Sequence, residues 1–194
     1  MKLQIHKNYK IKSDSELVDL LRDKKRISEK AFEAIFDRYS YNVNAYVRTV
    51  IGDADDSADI FQETFIRFYN NIINGAEITN LQSYLIKISR NLCLNYKRDK
   101  KNNVEVEDFH KIVNEENFYE NQELLEIVMR ALDLMDDKYK EAFVLKKIDG
   151  MKFEEVANVL DLTLEGAKTR VNRARIKLLE ILDPYIKDLE FKDK

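Results

Sequence analysis

Glycine and proline are scarce in this chain of 194 residues, with four Gly and one Pro, and tryptophan is absent. So few turn formers and breakers argue against a sheet-rich or loop-rich fold, and the many Leu, Ile, Lys and Glu favour helices. A single cysteine, Cys93, excludes an internal disulfide. With only His6 and His110 as imidazoles, there is no spaced set of soft ligands for zinc, and no metal or other cofactor is expected. No run of about 18 apolar residues could span a bilayer, and the start, MKLQIHKNYK, lacks the apolar stretch of a signal peptide. A cytoplasmic, all-α protein without direct membrane insertion is the expectation. No nucleophile-base set, Gly-rich phosphate loop or ligand cluster is present, so no catalytic residue is assigned and an enzyme is the least favoured class.

What the chain does have is charge, unevenly placed. The formal net charge is only -3. Residues 104–126 nevertheless carry eight acids against Lys111 alone, a local net of -7, whereas residues 163–177 carry five cations against Glu165, a local net of +4. Opposite signs in separate blocks suggest two helical modules joined by an acidic connector, with at least one module facing a polyanion.

In the first half, Ser13 and Glu16 have the spacing of a capping box ahead of a short helix reaching about Asp23. Ser28 can cap a longer helix whose Phe32, Ile35, Phe36, Tyr39, Val43, Tyr46 and Val50 form an apolar stripe ending at Gly52. In "SADIFQETFIRFYNNI", Ile60, Phe61, Thr64, Phe65, Phe68 and Ile72 share one side. Asp59, Gln62, Glu63, Ile66 and Asn70 point largely elsewhere, which from spacing alone reads as solvated surface. Thr79 or Asn80 can cap "NLQSYLIKISRNLCLNYKRDKK", with Leu81, Leu85, Ile88, Leu92 and Tyr96 toward the core. A second stripe, Tyr84, Lys87, Asn91, Asn95 and Arg98, combines a ring, two amides and two cations. Such a set can stack on an unpaired base, bond its edge and hold its phosphate, although an ordinary exposed face fits the spacing slightly better.

The second half contains "NQELLEIVMRALDLM" and "DKYKEAFVLKKID", two core-building helices before a turn at Gly150. Two further helices follow in "KFEEVANVLDLTLEGAKTRVNRARIKLL", separated by a tight turn around Asp161 and Leu162, with Thr163 placed to cap the second. This is the form of a helix-turn-helix. With Ala167, Val171, Ala174 and Leu178 buried, Glu165, Gly166, Thr169, Asn172 and Arg173 face outward, and Lys168, Arg170, Arg175 and Lys177 flank them. Outward residues near such a helix's start suit base edges, and flanking cations suit phosphates.

Taken together, the two halves resemble a known family. "DDSADIFQETFIRFYNNI" with "NLQSYLIKISRNLCLNYKRDKK" is similar to region 2 of bacterial sigma-70 factors, and "ALDLMDDKYKEAFVLKKIDGMKFEEVANVLDLTLEGAKTRVNRARIKL" resembles their region 4. With no room between them for a region 3, the resemblance is to the extracytoplasmic-function group. It implies an N-terminal extension over 1–12, region 2 over 13–101, the acidic linker over 102–122, region 4 over 123–183 and a tail over 184–194. It implies a transcription initiation factor that binds core RNA polymerase through its β′ clamp helices and β flap. Promoter DNA would be engaged as duplex at the -35 element and as a single strand at the -10 element, with an anti-sigma partner holding the free factor inactive.

The resemblance also implies roles for residues. Asp59, Gln62, Glu63 and Ile66 would dock on the polymerase. Tyr84, Lys87, Asn91, Asn95 and Arg98 would engage the -10 strand, and Lys168, Thr169, Arg170, Asn172, Arg173 and Arg175 the -35 duplex. Three places depart from the family pattern: Tyr84 stands where many relatives carry Trp, Met135 replaces a customary Pro, and Glu165 with Gly166 replaces a small residue and Thr. A conventional helix-turn-helix regulator, binding duplex operator DNA independently of polymerase, is the alternative. It would need neither the "DIFQETF" surface nor the Tyr84 to Arg98 stripe.

Overall fold

The computed structural model describes residues 11–22, 27–103 and 122–192, so most of the acidic linker expected over 102–122, and nearly all of the extension expected over 1–12, lie outside the described residues. Every regular element among the described residues is helical. Two compact units divide between Ile112 and Val113.

The first unit comprises α1 (Asp14–Arg22), α2 (Ile27–Ile51), α3 (Ala54–Ile73) and α4 (Leu81–Asn103). Helix α2 packs on each of the other three, and α4 lies against both α2 and α3. Ser13 caps α1 as expected. Its backbone N–H donates to Glu16 Oε2 at 2.8 Å while Glu16 N–H donates to Ser13 Oγ at 3.3 Å. Helix α1 is then held to α2 by Arg38 and Tyr39, which both donate to the Asp14 carboxylate at 2.5 Å. Contact with that carboxylate and burial, the larger cause, push the Tyr39 phenol well above its ordinary value. Ser28 is not a cap, because α2 already includes Ile27. At the end of α2, Gly52 takes φ +81°, a left-handed conformation that a residue without Cβ adopts at no steric cost.

Leu17, Leu21, Ile35, Tyr46, Phe68, Ile72, Leu85 and Ile86 form the centre of this unit. Each such side chain contributes about 1.5 to 3 kcal/mol when fully removed from water. On α2 the stripe is broader than the sequence indicates, since Val47 is fully buried while Phe36 remains partly exposed. The buried arc of α4 is also rotated. Ile86, Ser89 and Cys93 are enclosed, whereas Ile88 and Tyr96 are only half-buried. A helix seated between two neighbours is covered on both flanks, which a single-stripe wheel cannot anticipate. Two of the polar residues this encloses are satisfied locally: Ser89 Oγ donates to Leu85 O at 2.9 Å, and Thr64 Oγ1 lies 3.3 Å from Ser89 Oγ.

The second unit comprises α5 (Gln122–Asp133), α6 (Asp137–Phe143) continued by a π-helical segment Val144–Ile148, α7 (Phe153–Val159) and α8 (Leu164–Lys192). Helices α5, α6 and α7 all pack on α8. Met135 is buried in the α5–α6 turn, and its N–H donates to Leu132 O at 3.1 Å, a bond that a proline there could not make. Gly150 turns the chain at φ +68°. The tail expected from residue 184 is instead a continuation of α8, with Pro184 inside the helix.

Candidate nucleic-acid interface

In the second unit, the turn between α7 and α8 is the four residues 160–163, which close the C-terminus of α7. Leu160 is buried, Asp161 takes the left-handed conformation at φ 55°, and Leu162 N–H returns to Ala157 O at 2.9 Å. Asp tolerates that conformation better than most residues. Thr163 then caps α8, its Oγ1 accepting from Gly166 N–H at 3.0 Å. Gly166 has no positive φ. A Cβ at that position would lie 3.1 Å from Thr163 Oγ1, so the glycine leaves room for the cap.

With α8 started there, Ala167, Val171, Ala174 and Leu178 are buried, and Thr169, Asn172 and Arg173 are exposed together on the opposite side. Arg175 is exposed and Arg170 half-buried at the flanks. Two of the flanking cations have protein partners. Lys177 Nζ lies 5.2 Å from the centre of the Tyr139 ring, which Lys138 also approaches at 5.0 Å. Lys168 Nζ donates to Glu165 Oε1 at 2.8 Å, and that hydrogen bond holds its ammonium above the ordinary value.

In the first unit, Asn91, Asn95 and Arg98 of α4 are exposed, while Tyr84 and Lys87 on the same stripe are half-buried. Tyr84 is fixed from two directions: its ring meets Phe68 edge-on at 6.5 Å, and its hydroxyl accepts from Asn71 Nδ2 at 3.0 Å. Arg98 Nε lies 3.3 Å from its neighbour Asp99. Beyond this stripe, Tyr96 donates a short hydrogen bond to Asp56 near the start of α3, and Lys100 donates to the Tyr96 hydroxyl at 2.7 Å. Burial first, and then the Asp56 contact, raise the Tyr96 phenol. Apolar spacing placed Tyr96 in the core. The one available signal for its actual partner was the aspartate run "DADD", from which Asp53 also supplies the N-cap of α3.

On α3, Asp59 and Gln62 are exposed, and Ile66 is 55% exposed, a large aliphatic group held toward water. Glu63 stands on the same outer side but is engaged, accepting from Arg67 Nε at 2.6 Å. Beneath this surface lies an aromatic cluster in which Phe65 contacts Phe36 at 4.8 Å and Phe61 at 5.2 Å. Tilted and edge-to-face ring contacts of this kind make α3 a firm base for the groups above it. The three surfaces therefore offer hydrogen bonding, positive charge and one exposed apolar contact, on stably packed helices. They hold no group of three or more His, Cys, Asp or Glu residues that could bind a metal ion among the described residues. No helix there is long and apolar enough to cross a membrane.

Comparison with known proteins places both units in one family context. Residues 35–103 match the family profile "Sigma-70 region 2", and residues 125–178 match "Sigma-70, region 4". Among curated proteins, the chain is 27% identical over 173 residues to the ECF RNA polymerase sigma-E factor of Escherichia coli (strain K12), covering 82% of this chain and 90% of that protein. It is 26% identical over 154 residues to the RNA polymerase sigma factor SigZ of Bacillus subtilis (strain 168), covering 78% and 86%. Its fold is similar to the sigma factor RpoE of Bartonella quintana, solved with the anti-sigma factor NepR, at a TM-score of 0.69 and 22% identity over 79% of this chain and 98% of that one.

Proposed function

This chain belongs to the sigma-70 family of RNA polymerase sigma factors, in its extracytoplasmic-function group, and from that footing we propose how its surfaces divide the work of promoter-directed transcription initiation. As a sigma factor it binds core RNA polymerase and promoter DNA. In our reading the outer side of α3, Asp59, Gln62, Glu63 and Ile66, contacts the polymerase, with Ile66 as the apolar anchor and the polar groups as its rim. The α4 stripe, Tyr84, Lys87, Asn91, Asn95 and Arg98, takes the -10 strand once its bases are unstacked. The start and outer side of α8, Lys168, Thr169, Arg170, Asn172, Arg173 and Arg175, takes the -35 element as duplex.

The observation that supports this division is the pairing of a capped, cation-flanked helix-turn-helix in one unit with an exposed amide stripe on α4 in the other. A regulator that binds only duplex operator DNA has use for the first and none for the second. Residues 13–101 and 123–183 then act as regions 2 and 4. The acidic segment between them, at its local net of -7, suits a polymerase channel built for nucleic acid. We further propose that the chain performs no covalent step itself, works in the cytoplasm, and is restrained by an anti-sigma partner, as the Bartonella quintana protein was solved with one.

Run-off transcription with the cognate core polymerase and fragments of the source genome tests this reading. A defined 5′ end that depends on this chain is the expected result. No transcript, together with retained binding to duplex DNA, would favour the operator-binding regulator.

A further inference from the structure

Arg22 ends α1, and its guanidinium reaches a carbonyl 54 residues further along the chain. Nη2 donates to Ala76 O at 2.8 Å, in the turn between α3 and α4, while Nη1 donates to Asp19 Oδ1 at 3.2 Å on α1 itself. A cation in the last turn complements the helix dipole wherever its head lies, so the dipole does not account for the reach to a second segment. The base of that reach is firm: Leu17, Val18 and Leu21 are buried, and α1 packs on both α2 and α3.

Ala76 is held by both of its backbone groups. Its carbonyl takes the Arg22 guanidinium, and its N–H donates to Asn71 O at 2.9 Å. Asn71 in turn uses its side chain, Nδ2 donating to the Tyr84 hydroxyl at 3.0 Å. Three hydrogen bonds therefore run from the last turn of α1, through the α3–α4 turn, to the ring that begins the α4 stripe. Gly75 precedes Ala76 at φ +89°, and glycine holds several backbone conformations at similar cost, so such ties select the one the turn keeps. A ring fixed before DNA arrives costs less to bind than one that must be ordered on contact.

We propose that Arg22 is a positioning residue for the -10 strand: by holding Ala76 it fixes the turn that fixes Asn71, and through Asn71 it sets the Tyr84 ring for an unstacked base. Helix α1, which carries none of the residues assigned to the strand, then acts on the strand site from behind. The Arg22 side chain is 39% exposed, so its bond to Ala76 adds only modestly to the stability of the unit, and its effect falls on the placement of the ring. The inference rests on the strand role proposed above for Tyr84.

The test titrates a -10 strand carrying a fluorescent adenine analogue, from a promoter mapped by run-off transcription, with the holoenzyme of cognate core and full-length chain. Arg22→Ala should weaken strand binding about three- to tenfold, the change that one net hydrogen bond makes in an equilibrium, with affinity for core polymerase unchanged. Arg22→Lys, which can still donate to Ala76 O, should restore most of the loss. In a Tyr84→Phe background, where the link to Asn71 is already cut, Arg22→Ala should have no further effect, because two changes on one path do not add. Wild-type strand binding by Arg22→Ala, or a full additional loss in the Tyr84→Phe background, overturns the proposal. If Tyr84→Ala itself binds the strand as the wild type does, the strand role of Tyr84 fails, and this inference falls with it.

Discussion

The hydroxyl of Tyr84 accepts a hydrogen bond from Asn71 Nδ2 at 3.0 Å, joining α4 to the last turn of α3. The ring is thereby held at the edge of the amide stripe rather than left to rotate. Tyr84→Phe should keep the ring and lose the tether, costing about 1 kcal/mol of stability with a modest loss of promoter opening. Tyr84→Ala should cost roughly 1 to 3 kcal/mol of -10 strand binding if the ring stacks on a base. A fluorescent base analogue in the -10 strand measures both, and equal signals from wild type, Phe and Ala would remove Tyr84 from the strand site.

Asn91 is exposed on the same stripe. Asn91→Ala should therefore reduce open-complex formation, read by permanganate reactivity of -10 thymines, while core polymerase binding stays at the wild-type value. Unchanged reactivity would exclude Asn91 from the -10 contact.

For Arg173, exposed beside Asn172 on α8, the sequence dependence of the loss is diagnostic. Arg173→Ala should weaken -35 duplex binding by about 1 to 3 kcal/mol and relax preference at one base pair if the guanidinium reads a base edge. A loss that is the same on all sequences, with a shallower salt dependence, would reassign Arg173 to phosphate.

Ile66 holds a large aliphatic side chain more than half exposed to water. Ile66→Asp should lower affinity for core polymerase at least about tenfold, the loss expected when an apolar anchor at an interface is replaced by a charge. Its melting temperature should hardly move, since exposed substitutions usually fall within about 0.5 kcal/mol. Wild-type affinity for the core in this variant would move the docking surface elsewhere.

The Ser13–Glu16 box gives a pH signature. The Ser13 N–H, first among several donors, holds the Glu16 carboxyl below its ordinary value of 4.5. A depressed carboxyl stabilises the fold in its ionised form, so the benefit is complete above about 4.5 and disappears as pH falls through the lower folded value. The gap in melting temperature between wild type and Glu16→Gln should accordingly be present at about pH 6 and narrow toward about pH 3. A gap independent of pH would contradict this assignment.

Much of this was legible because caps and turns are local. Ser13 with Glu16, Asn80, Thr163, Gly52 and Gly150 act within a few residues of themselves, and four of them needed no tertiary information. Asn80 had to be chosen over Thr79; its Oδ1 accepts from Ser83 N–H at 2.7 Å. The outward side of α8 was equally readable, since burial on one side fixes what remains on the other. What sequence spacing missed is long-range. Asp56 and Tyr96 are 40 residues apart, and Asp14 meets Arg38 across two helices. Neither distance leaves a periodic trace. The same holds for Ile86 and Cys93, whose enclosure depends on a second neighbour beside α4. The continuation of α8 through Pro184 is tolerated because Glu180, whose carbonyl loses its usual partner, is exposed, so water can take its place.

Cys93 is the one thiol in the chain and is fully enclosed in the first unit. It is therefore a built-in timer for that unit's opening, since a water-borne thiol reagent can reach it only when the surrounding helices part. Reaction rates measured at rising reagent concentration would separate the frequency of such opening from the chemistry of modification. The helix-turn-helix unit, having no sulfhydryl, would contribute no signal, so clamping of the first unit by polymerase, by an opened strand or by an inhibitory protein could be ranked on a single scale without attaching any probe.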